Sequence, residues 1–317
     1  MITVERYTKK EKDNWNTFNR SAKNPLFMFD RDYMDYHKDR FQDHSLLFYQ
    51  EGELIAILPM SERGEVLTSH GGLTYGGFVT GAKMKQHIMD ECVEKLIVYA
   101  RENGFREINY KIIPHIYHEQ PAEEDRYALF VNGAQLVKVE SSTVVNLEAP
   151  LKMPKGRKAQ VSRAKREGCV IEEKTDYESY AQFIDLENKV LLEHHNTKAV
   201  HTAEEINLLH DNFPENIRLY AAMKDDMMIA GTIVFEYGQV VHTQYMAANE
   251  EARQIGALDL AVSTVIEKYR NNKKWLDFGI STEEGGRILN EGLIAQKEGF
   301  GGRTNVYEMW KIPTSNK

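Results

Sequence analysis

The stretch from Trp275 to Trp310, WLDFGISTEEGGRILNEGLIAQKEGFGGRTNVYEMW, decides the fold. It predicts a short apolar strand at Trp275–Ile280, a polar and glycine-rich turn, a helix that ends just after Lys297, and a last aromatic strand at Val306–Ile312. Open α/β sheets bind ligands outside the carboxyl ends of their strands. We therefore expect a site after the first of these strands, and Lys297 is its best charged candidate.

Upstream of this stretch, the chain repeats one order of elements. A hairpin, a glycine-rich aromatic segment, a helix and a strand are predicted at 45–60, 66–78, 87–103 and 105–113, and a hairpin, a strand, a helix and a strand at 217–237, 240–248, 258–269 and 275–280. Corresponding elements are offset by about 170 residues, which favours a duplicated α/β module. Any two α/β units share this order at the level of sequence, so the order alone does not prove a duplication.

The charge of the chain excludes one class of partner. The whole chain has 40 Lys+Arg and 48 Asp+Glu, a net charge of −8. Residues 151–317 hold 22 basic and 25 acidic side chains, a net charge of −3, which leaves −5 for residues 1–150. Neither half is basic, so we expect no DNA partner and no broad electrostatic binding of nucleic acid. A local cationic pocket for one phosphorylated ligand is compatible with these numbers.

Cysteine usage and hydropathy indicate the compartment. The two cysteines, Cys92 and Cys169, lack CxxC spacing, which predicts a reducing environment without a disulfide framework or a thiolate metal site. The N-terminus has no apolar signal-peptide segment. No run reaches the ~18–20 apolar residues that span a bilayer. We therefore predict a cytoplasmic protein with no integral membrane segment.

A basic helix is predicted between the two modules. Pro150 and Pro154 bracket a linker, and the helix that follows ends at Gly168. Five cations line it: Arg157, Lys158, Arg163, Lys165 and Arg166. Its few apolar residues cannot bury much surface. The sequence leaves two interpretations open, a solvated basic face and a face that binds phosphate.

These segments together resemble a known family. The tandem module, RKAQVSRAKREG at 157–168, WLDFGI at 275–280 and LNEGLIAQKEGFGG at 289–302 resemble the Fem-like branch of the GNAT acyltransferase superfamily, which includes the peptidoglycan-bridge aminoacyltransferases. The resemblance covers nearly the whole chain. It implies an α/β (α+β) fold with two tandem GNAT-like domains, 1–150 and 151–317, each a mixed central sheet flanked by helices. In each sheet two central parallel strands splay apart, and the C-terminal domain would carry the donor site.

The resemblance also implies a donor site. In GNAT enzymes the loop after the first central strand reads [Q/R]-x-x-G-x-[G/A], and its N–H groups, with the following helix N-terminus, hold the pyrophosphate of coenzyme A. Residues 253–258 take that place here, and Leu258 departs from the pattern. The implied cosubstrate is acetyl-CoA or another acyl-CoA. The implied donor-binding residues are Met246, Ala247, Arg253, Gly256 and Ala257. The first module has glycines but no Arg or Gln at the corresponding positions 76–81, so it resembles an acceptor-side or structural half.

Two residues are candidates for catalysis. In Fem-like enzymes a lysine on the last helix is linked to donor phosphate or to the reaction intermediate, and Lys297 falls on that position; a solvated helix-end cation is the alternative. Tyr245 ends the strand 240–248 at the expected splay, where it would orient an acceptor or donate a proton; a buried packing role is the alternative. His242 lies three residues earlier, so strand alternation predicts that it faces away from Tyr245.

The remaining candidates are contacts to the acceptor. Tyr75, in a glycine-rich run, is a candidate for stacking on a sugar, and His195, His201 and Ser281 are candidate substrate contacts. We expect no metal site, because the histidines at 194, 195, 201 and 210 lack HxH or HExxH spacing. Thr202 to Glu205 reads as a capping box, which supplies a structural reason for part of this segment.

Three functions remain open at the level of sequence. The first is an acyl-CoA N-acyltransferase that acylates an amine, on a small-molecule acceptor or on a sugar linked to a lipid or nucleotide carrier of the cell envelope. The second is a Fem-type transferase that uses aminoacyl-tRNA, for which the basic helix and Lys297 suit a tRNA acceptor end. The third is a catalytically degenerate protein that binds a sugar nucleotide or a partner protein.

Overall fold

In a computed structural model that describes residues 1–314, apart from the side chains of His194 and His195, the chain divides into two compact units. Unit 1 comprises Met1–Ser141, Thr282–Ile288 and the segment from Val306 onward, and unit 2 comprises Ser142–Ser281 and Leu289–Asn305. The contiguous domains 1–150 and 151–317 stay a prediction, since each unit also draws on chain beyond residue 281.

Unit 1 is built on two sheets. Its strands are β1 (Ile2–Arg6), β2 (Gln42–Asp43), β3 (Leu46–Gln50), β4 (Glu53–Leu58), β5 (Ser61–Arg63), β6 (Val66–Thr68), β7 (Val79–Thr80), β8 (Glu107–Lys111) and the first part of β9 (Gln135–Asn146). Its helices are α1 (Lys12–Arg20), α2 (Arg31–Met34), α3 (Gln86–Glu102) and α4 (Glu124–Val131), with 3-10 turns at Lys9–Glu11, Phe27–Phe29, Asp35–His37 and His115–Tyr117.

The order of the strands in unit 1 places a parallel pair beside α3. One sheet has the antiparallel order β1-β3-β4-β7. In the other, β6 runs parallel to β8, and β5 and β2 follow β6. The apolar face of α3 packs on this core because Ile88, Cys92 and Leu96 recur at helical spacing and are buried.

Unit 2 contains most of the stretch that opens the sequence analysis; the turn at Thr282–Ile288 and the segment from Val306 onward belong to unit 1. Its elements begin with α5 (Lys155–Arg166), β10 (Val170–Lys174), α6 (Tyr177–His195), α7 (Ala203–Asn212), β11 (Ile217–Lys224), β12 (Met227–Glu236), β13 (Val240–Ala248), α8 (Glu250–Ile255) and α9 (Ala257–Tyr269). They continue with β14 (Trp275–Ile280), α10 (Glu291–Glu298) and the start of β17 (Arg303–Pro313). The intervening turn holds β15 (Thr282–Glu283), a 3-10 turn (Glu284–Gly286) and β16 (Ile288–Leu289).

One mixed sheet organises unit 2. Its order is β10-β11-β12-β13-β14, and the end of β9 pairs with the outer edge of β14. All neighbours are antiparallel except β13 and β14. Helix α9 packs on one face, where Val262, Val265 and Ile266 join Leu276 and Phe278 in the core. Helix α6 packs on the other face, where Phe183 lies against Gly231 of β12.

The structure confirms most of the predicted elements of unit 2. The strands at 240–248 and 275–280 have the predicted ends, and the helix predicted at 258–269 begins one residue earlier. The capping box is present, since the Thr202 hydroxyl accepts the N–H of Glu205 while the Glu205 carboxylate accepts the N–H of Thr202. This cap fixes the start of α7 and the loop before it.

Candidate functional site

The two parallel strands of unit 2 part after three pairs. Val240, Val241 and His242 pair with Trp275, Leu276 and Asp277, and the pairing stops there. Strand β13 remains paired with β12 as far as Ala248. From residue 243 onward β13 therefore has no ladder partner on its β14 side, and a wedge opens at the carboxyl ends of the two strands. Such a crevice is where open α/β sheets bind ligands.

A β-bulge in β13 changes which side chains face this wedge. Tyr245 pairs with Ile233 and Thr243 pairs with Val234, so Gln244 is an extra residue. Since His242 pairs with Phe235, two residues from Ile233, the register places His242 and Tyr245 on the same face. The expectation that they face apart was wrong, because a bulge resets the alternation on which it relied.

A histidine–aspartate pair occupies the last paired position before the wedge. Asp277 is fully buried, and its Oδ2 lies 3.1 Å from Nδ1 of His242. Its Oδ1 accepts the Ser142 hydroxyl at 2.6 Å and the Gly279 N–H at 3.0 Å. A carboxylate facing Nδ1 favours the tautomer that carries its proton there, which leaves Nε2 as a proton acceptor. Ser142 bonds the carboxylate rather than the imidazole, so the three residues are not a nucleophilic triad.

Gly279 lets the backbone of β14 approach the imidazole of this pair closely. Its φ is +72°, and a Cβ at this position would lie 3.3 Å from Cε1 of His242. A side chain here would be strained by the backbone conformation and would crowd the imidazole ring. The glycine in DFG is thus explained by the approach of His242. The pair was missed by the sequence analysis because its two members are 35 residues apart and meet only through the parallel register.

Lys297 reaches the same strand end from α10. Its side chain is buried, with the residue 3% exposed, and Nζ donates to the carbonyls of Gly279 at 3.0 Å and Ile280 at 2.6 Å. Burial lowers the pKa of this ammonium to about 8. Because both hydrogen bonds go to backbone carbonyls, Lys297 holds the end of β14 where it diverges from β13. The next residue, Ser281, is buried, and its hydroxyl has no hydrogen-bond partner among the described residues.

Tyr245 and His201 are brought together beyond the bulge. The phenol oxygen lies 2.6 Å from Nδ1 of His201 and accepts the backbone N–H of His201 at 3.3 Å. Burial raises the pKa of Tyr245 to about 12, so the phenol keeps its proton at neutral pH. Two residues that the sequence analysis named separately therefore form one hydrogen-bonded pair.

Tyr75 and His195, two other predicted substrate contacts, are not placed at the wedge of unit 2. Tyr75 belongs to unit 1, where it is buried against Tyr117 and Tyr307, with ring centroids 4.8 and 5.5 Å away. The side chain of His195 lies outside the described residues. The roles of both as substrate contacts stay predictions.

Another acidic side chain, which the sequence analysis did not single out, lies near Tyr245. Glu187 of α6 is 7% exposed, and burial raises the pKa of its carboxyl to about 7. Its charge raises the pKa of Tyr245 in turn, so the two groups are within electrostatic range. A signal existed in the sequence: Tyr180, Phe183, Ile184 and Glu187 follow the i, i+3, i+4, i+7 spacing of a buried helix face.

The turn at 253–258, whose role in binding pyrophosphate stays a prediction, lies against α5. Gly256 has φ of +82°, and a Cβ there would lie 2.8 Å from both Cβ and the carbonyl oxygen of Gln160 in α5. The close approach of α5 thus explains this glycine. The first turn of α9 also carries a carboxylate, Asp259, which pairs with Arg157 of α5. The N-terminus of α9 thus already has a carboxylate beside it, with the Arg157 guanidinium as its partner.

The basic helix α5 is divided in its roles. Arg157 also donates to the carbonyl of Gln296 at 2.9 Å and stacks on Phe300 at 4.4 Å, so it joins α5, α9 and α10. The other five cations of α5 are exposed: Lys155, Lys158, Arg163, Lys165 and Arg166. Lys158 and Lys165 border a groove of about 500 Å³ between α5 and α9.

Two properties of the described residues concern metal binding and membrane insertion. Within the part of the chain that the structure describes, no three His, Cys, Asp or Glu side chains are grouped so that they could hold a metal ion. No described helix combines the length and apolar character needed to cross a bilayer.

The sequence of unit 2 matches a known domain. Residues 155–284 match the family model described as acetyltransferase (GNAT) domain. The matched residues include β13, the helices α8 and α9, β14 and the His242–Asp277 pair. Acyl transfer is the class of activity that this domain carries, and an acyl-CoA is its general cosubstrate. A comparison with curated proteins gives no significant sequence match.

Solved structures share the fold across both units. FemX superposes with a TM-score of 0.68 at 10% identity and covers 96% of each chain. The C-terminal domain of a lysylphosphatidylglycerol synthetase from Agrobacterium fabrum gives 0.63 at 14% identity, covering 96% of this chain and 92% of that one. A tandem GNAT protein from the clavulanic acid biosynthesis pathway gives 0.53 at 10% identity and covers both chains completely. At these identities the likeness shows the fold, and it confirms the predicted pair of tandem GNAT-like domains.

Proposed function

Since the chain carries an acetyltransferase (GNAT) domain, and on that ground is an acyltransferase, we propose that it transfers an acyl group from an acyl-CoA to a primary amine. The acceptor is an amino group on a cell-envelope sugar or its precursor, as the Fem-like resemblance implies. The observation that carries the proposal is the His242–Asp277 pair at the last parallel position before the strands part.

The chemistry at this position is a proton transfer. The amine nitrogen attacks the donor carbonyl carbon, the C–N bond forms and the C–S bond breaks. The proton lost by the amine goes to Nε2 of His242, and the buried Asp277 carboxylate stabilises the resulting imidazolium. The sulfur leaves as a thiolate, a good leaving group because thiols titrate at about 8.5, and it then takes up a proton to become the free thiol. Backbone N–H groups of β13 around Met246 and Ala247 would polarise the donor carbonyl.

Lys297 is a positioning residue in this proposal. It fixes the Gly279 and Ile280 carbonyls and so keeps the end of β14 away from β13. Tyr245, held by His201, would donate a hydrogen bond to the acceptor. Ser281, with its unpaired hydroxyl, would bind a polar group of the substrate. The proposed contacts to the donor are Arg253, Gly256 and Ala257. For these residues to bind coenzyme A, the cofactor must displace the Arg157–Asp259 pair from the first turn of α9.

The test is an assay of acetyl transfer from acetyl-CoA to a panel of amino sugars, in which the rate is measured from the release of the thiol of coenzyme A. His242→Gln should lower the rate by about 10²–10⁴-fold, the usual contribution of a general base. His87→Gln, an exposed histidine of α3, is the matched control and should leave the rate unchanged. A His242→Gln variant that keeps the wild-type rate with an accepted amine would refute the assignment of His242.

Aminoacyl-tRNA is the second candidate donor, and the turn at 253–258 favours it. The α5 backbone and Asp259 lie beside the turn at 253–258, while five cations of α5 stay exposed. Exposed cations suit the phosphates of a tRNA acceptor end. Calorimetry with acetyl-CoA and with an alanyl-tRNA separates the donors. Binding of acetyl-CoA that Arg253→Ala weakens supports the first donor, and binding of the tRNA alone, reduced by Lys165→Ala, supports the second. Binding of neither donor would leave only a sugar-nucleotide or protein-binding role.

A further inference from the structure

Glu187 is a buried carboxylate that the proposed reaction does not use. It lies on α6, on the face that packs against β12 and β13, and only 7% of the residue is exposed. Its Oε2 is buried and has no hydrogen-bond partner among the described residues. A buried carboxylate normally has a cation or several hydrogen-bond donors beside it, because its desolvation is otherwise costly. An unpaired one in a folded protein calls for a specific explanation.

Among the side chains that the structure describes in unit 2, none supplies the missing cation. The pKa of Glu187 is raised by burial alone, with no contribution from a lysine, arginine or histidine among the described residues. The neighbouring group that senses its charge is the Tyr245 phenol, which lies on the β13 face beside the wedge. Ile233, the partner of Tyr245, lies two residues from Gly231, which faces Phe183 of α6, so the phenol lies on the face of the sheet that α6 covers. The buried Glu187 oxygen and the Tyr245 phenol therefore belong to the same layer between α6 and the sheet.

We infer that Glu187 binds a primary ammonium group of a substrate, and that Tyr245, held by His201, forms one wall of that subsite. The ammonium would supply the charge and the N–H donors that the carboxylate lacks. This inference takes one element from the proposed function, namely that the substrate binds at the wedge between β13 and β14. Two substrates carry such a group: the amine of a sugar acceptor, and the α-ammonium of an aminoacyl donor. An acetyl donor carries none.

A structural role for Glu187 predicts different behaviour. If its carboxylate paired with a protein group, replacing it by an isosteric amide would remove that pair and lower stability. If it is an empty ligand site, Glu187→Gln removes an uncompensated buried charge, and the ligand-free protein should become more stable at neutral pH and above. Urea unfolding of the two proteins without ligand therefore tests the inference before any substrate is known.

The binding test uses two small primary amines and their neutral counterparts. Glucosamine, compared with glucose, represents the acceptor amine, and L-alaninamide, compared with L-lactamide, represents an aminoacyl group. In calorimetry, at least one of the two amines should bind the wild type about tenfold more tightly than its neutral counterpart. Tenfold in affinity corresponds to about 1.4 kcal/mol of binding free energy. Glu187→Gln should abolish that preference, and Glu178→Gln, an exposed glutamate of the same helix, should keep it.

Each result decides a separate question. A preference for glucosamine alone identifies the acceptor as the source of the ammonium, and a preference for alaninamide alone identifies the donor. The inference is overturned if neither amine binds more tightly than its counterpart, or if Glu187→Gln retains the preference. Loss of acyl transfer in His242→Gln, or its absence in the wild type, bears on the proposed function and leaves these binding results unaffected.

Discussion

The buried ammonium of Lys297 should make the stability of unit 2 depend on pH in a defined direction. Burial lowers its pKa from 10.5 to about 8. Between these values the unfolded chain binds more protons at this residue than the folded one, so the free energy of unfolding rises with pH. One pKa unit is worth about 1.4 kcal/mol, so from pH 8 to about 9.5 the expected rise is about 2 kcal/mol. Below pH 8 the cost of the buried charge is fully present.

Lys297→Met isolates this contribution. The variant loses two hydrogen bonds to the carbonyls of Gly279 and Ile280, so it should be less stable than the wild type, and by an amount that grows with pH. Urea unfolding curves, followed by circular dichroism and tryptophan fluorescence at several pH values in this window, measure the difference. Lys189→Met, an exposed lysine of α6, is the control and should leave the slope with pH unchanged. Parallel pH dependences for Lys297→Met and the wild type would refute the reasoning.

Two further predictions concern packing. Gly256→Ala should destabilise the protein by about 2–4 kcal/mol in urea unfolding, because it adds a clash with the Gln160 backbone to the cost of about 1–2 kcal/mol for a left-handed alanine. Gly168→Ala, at φ of +81° with no atom within 4 Å, should cost only the left-handed term, and equal losses would contradict the role of α5. Burial raises the pKa of the Cys92 thiol to about 12 and also raises the pKa of the Cys169 thiol. Because the thiolate is the reactive form, neither cysteine should react with Ellman's reagent until the protein unfolds. Rapid labelling of the native protein would show that the two are accessible.

The elements that the sequence predicted well are those whose side-chain period is uninterrupted. Helix α9 and strand β14 each bury one regular pattern, and their bounds follow from it within a residue. The position of Lys297 at the end of β14 was also predictable, because a short turn and one helix connect the two. Its hydrogen bonds to backbone carbonyls were not, since local sequence does not specify which atoms a long side chain reaches.

The centre of the candidate site was not predictable, for two physical reasons. The bulge at Gln244 leaves no mark in the hydropathy pattern, yet it turns Tyr245 onto the face of His242. The His242–Asp277 pair depends on a parallel register of three residue pairs, which a single sequence does not contain. Both features occur where β13 and β14 lose their common ladder. A sheet that must open between two central strands gives up regular pairing at that point, so the part of the fold that pattern analysis describes least well is the part where a substrate can enter.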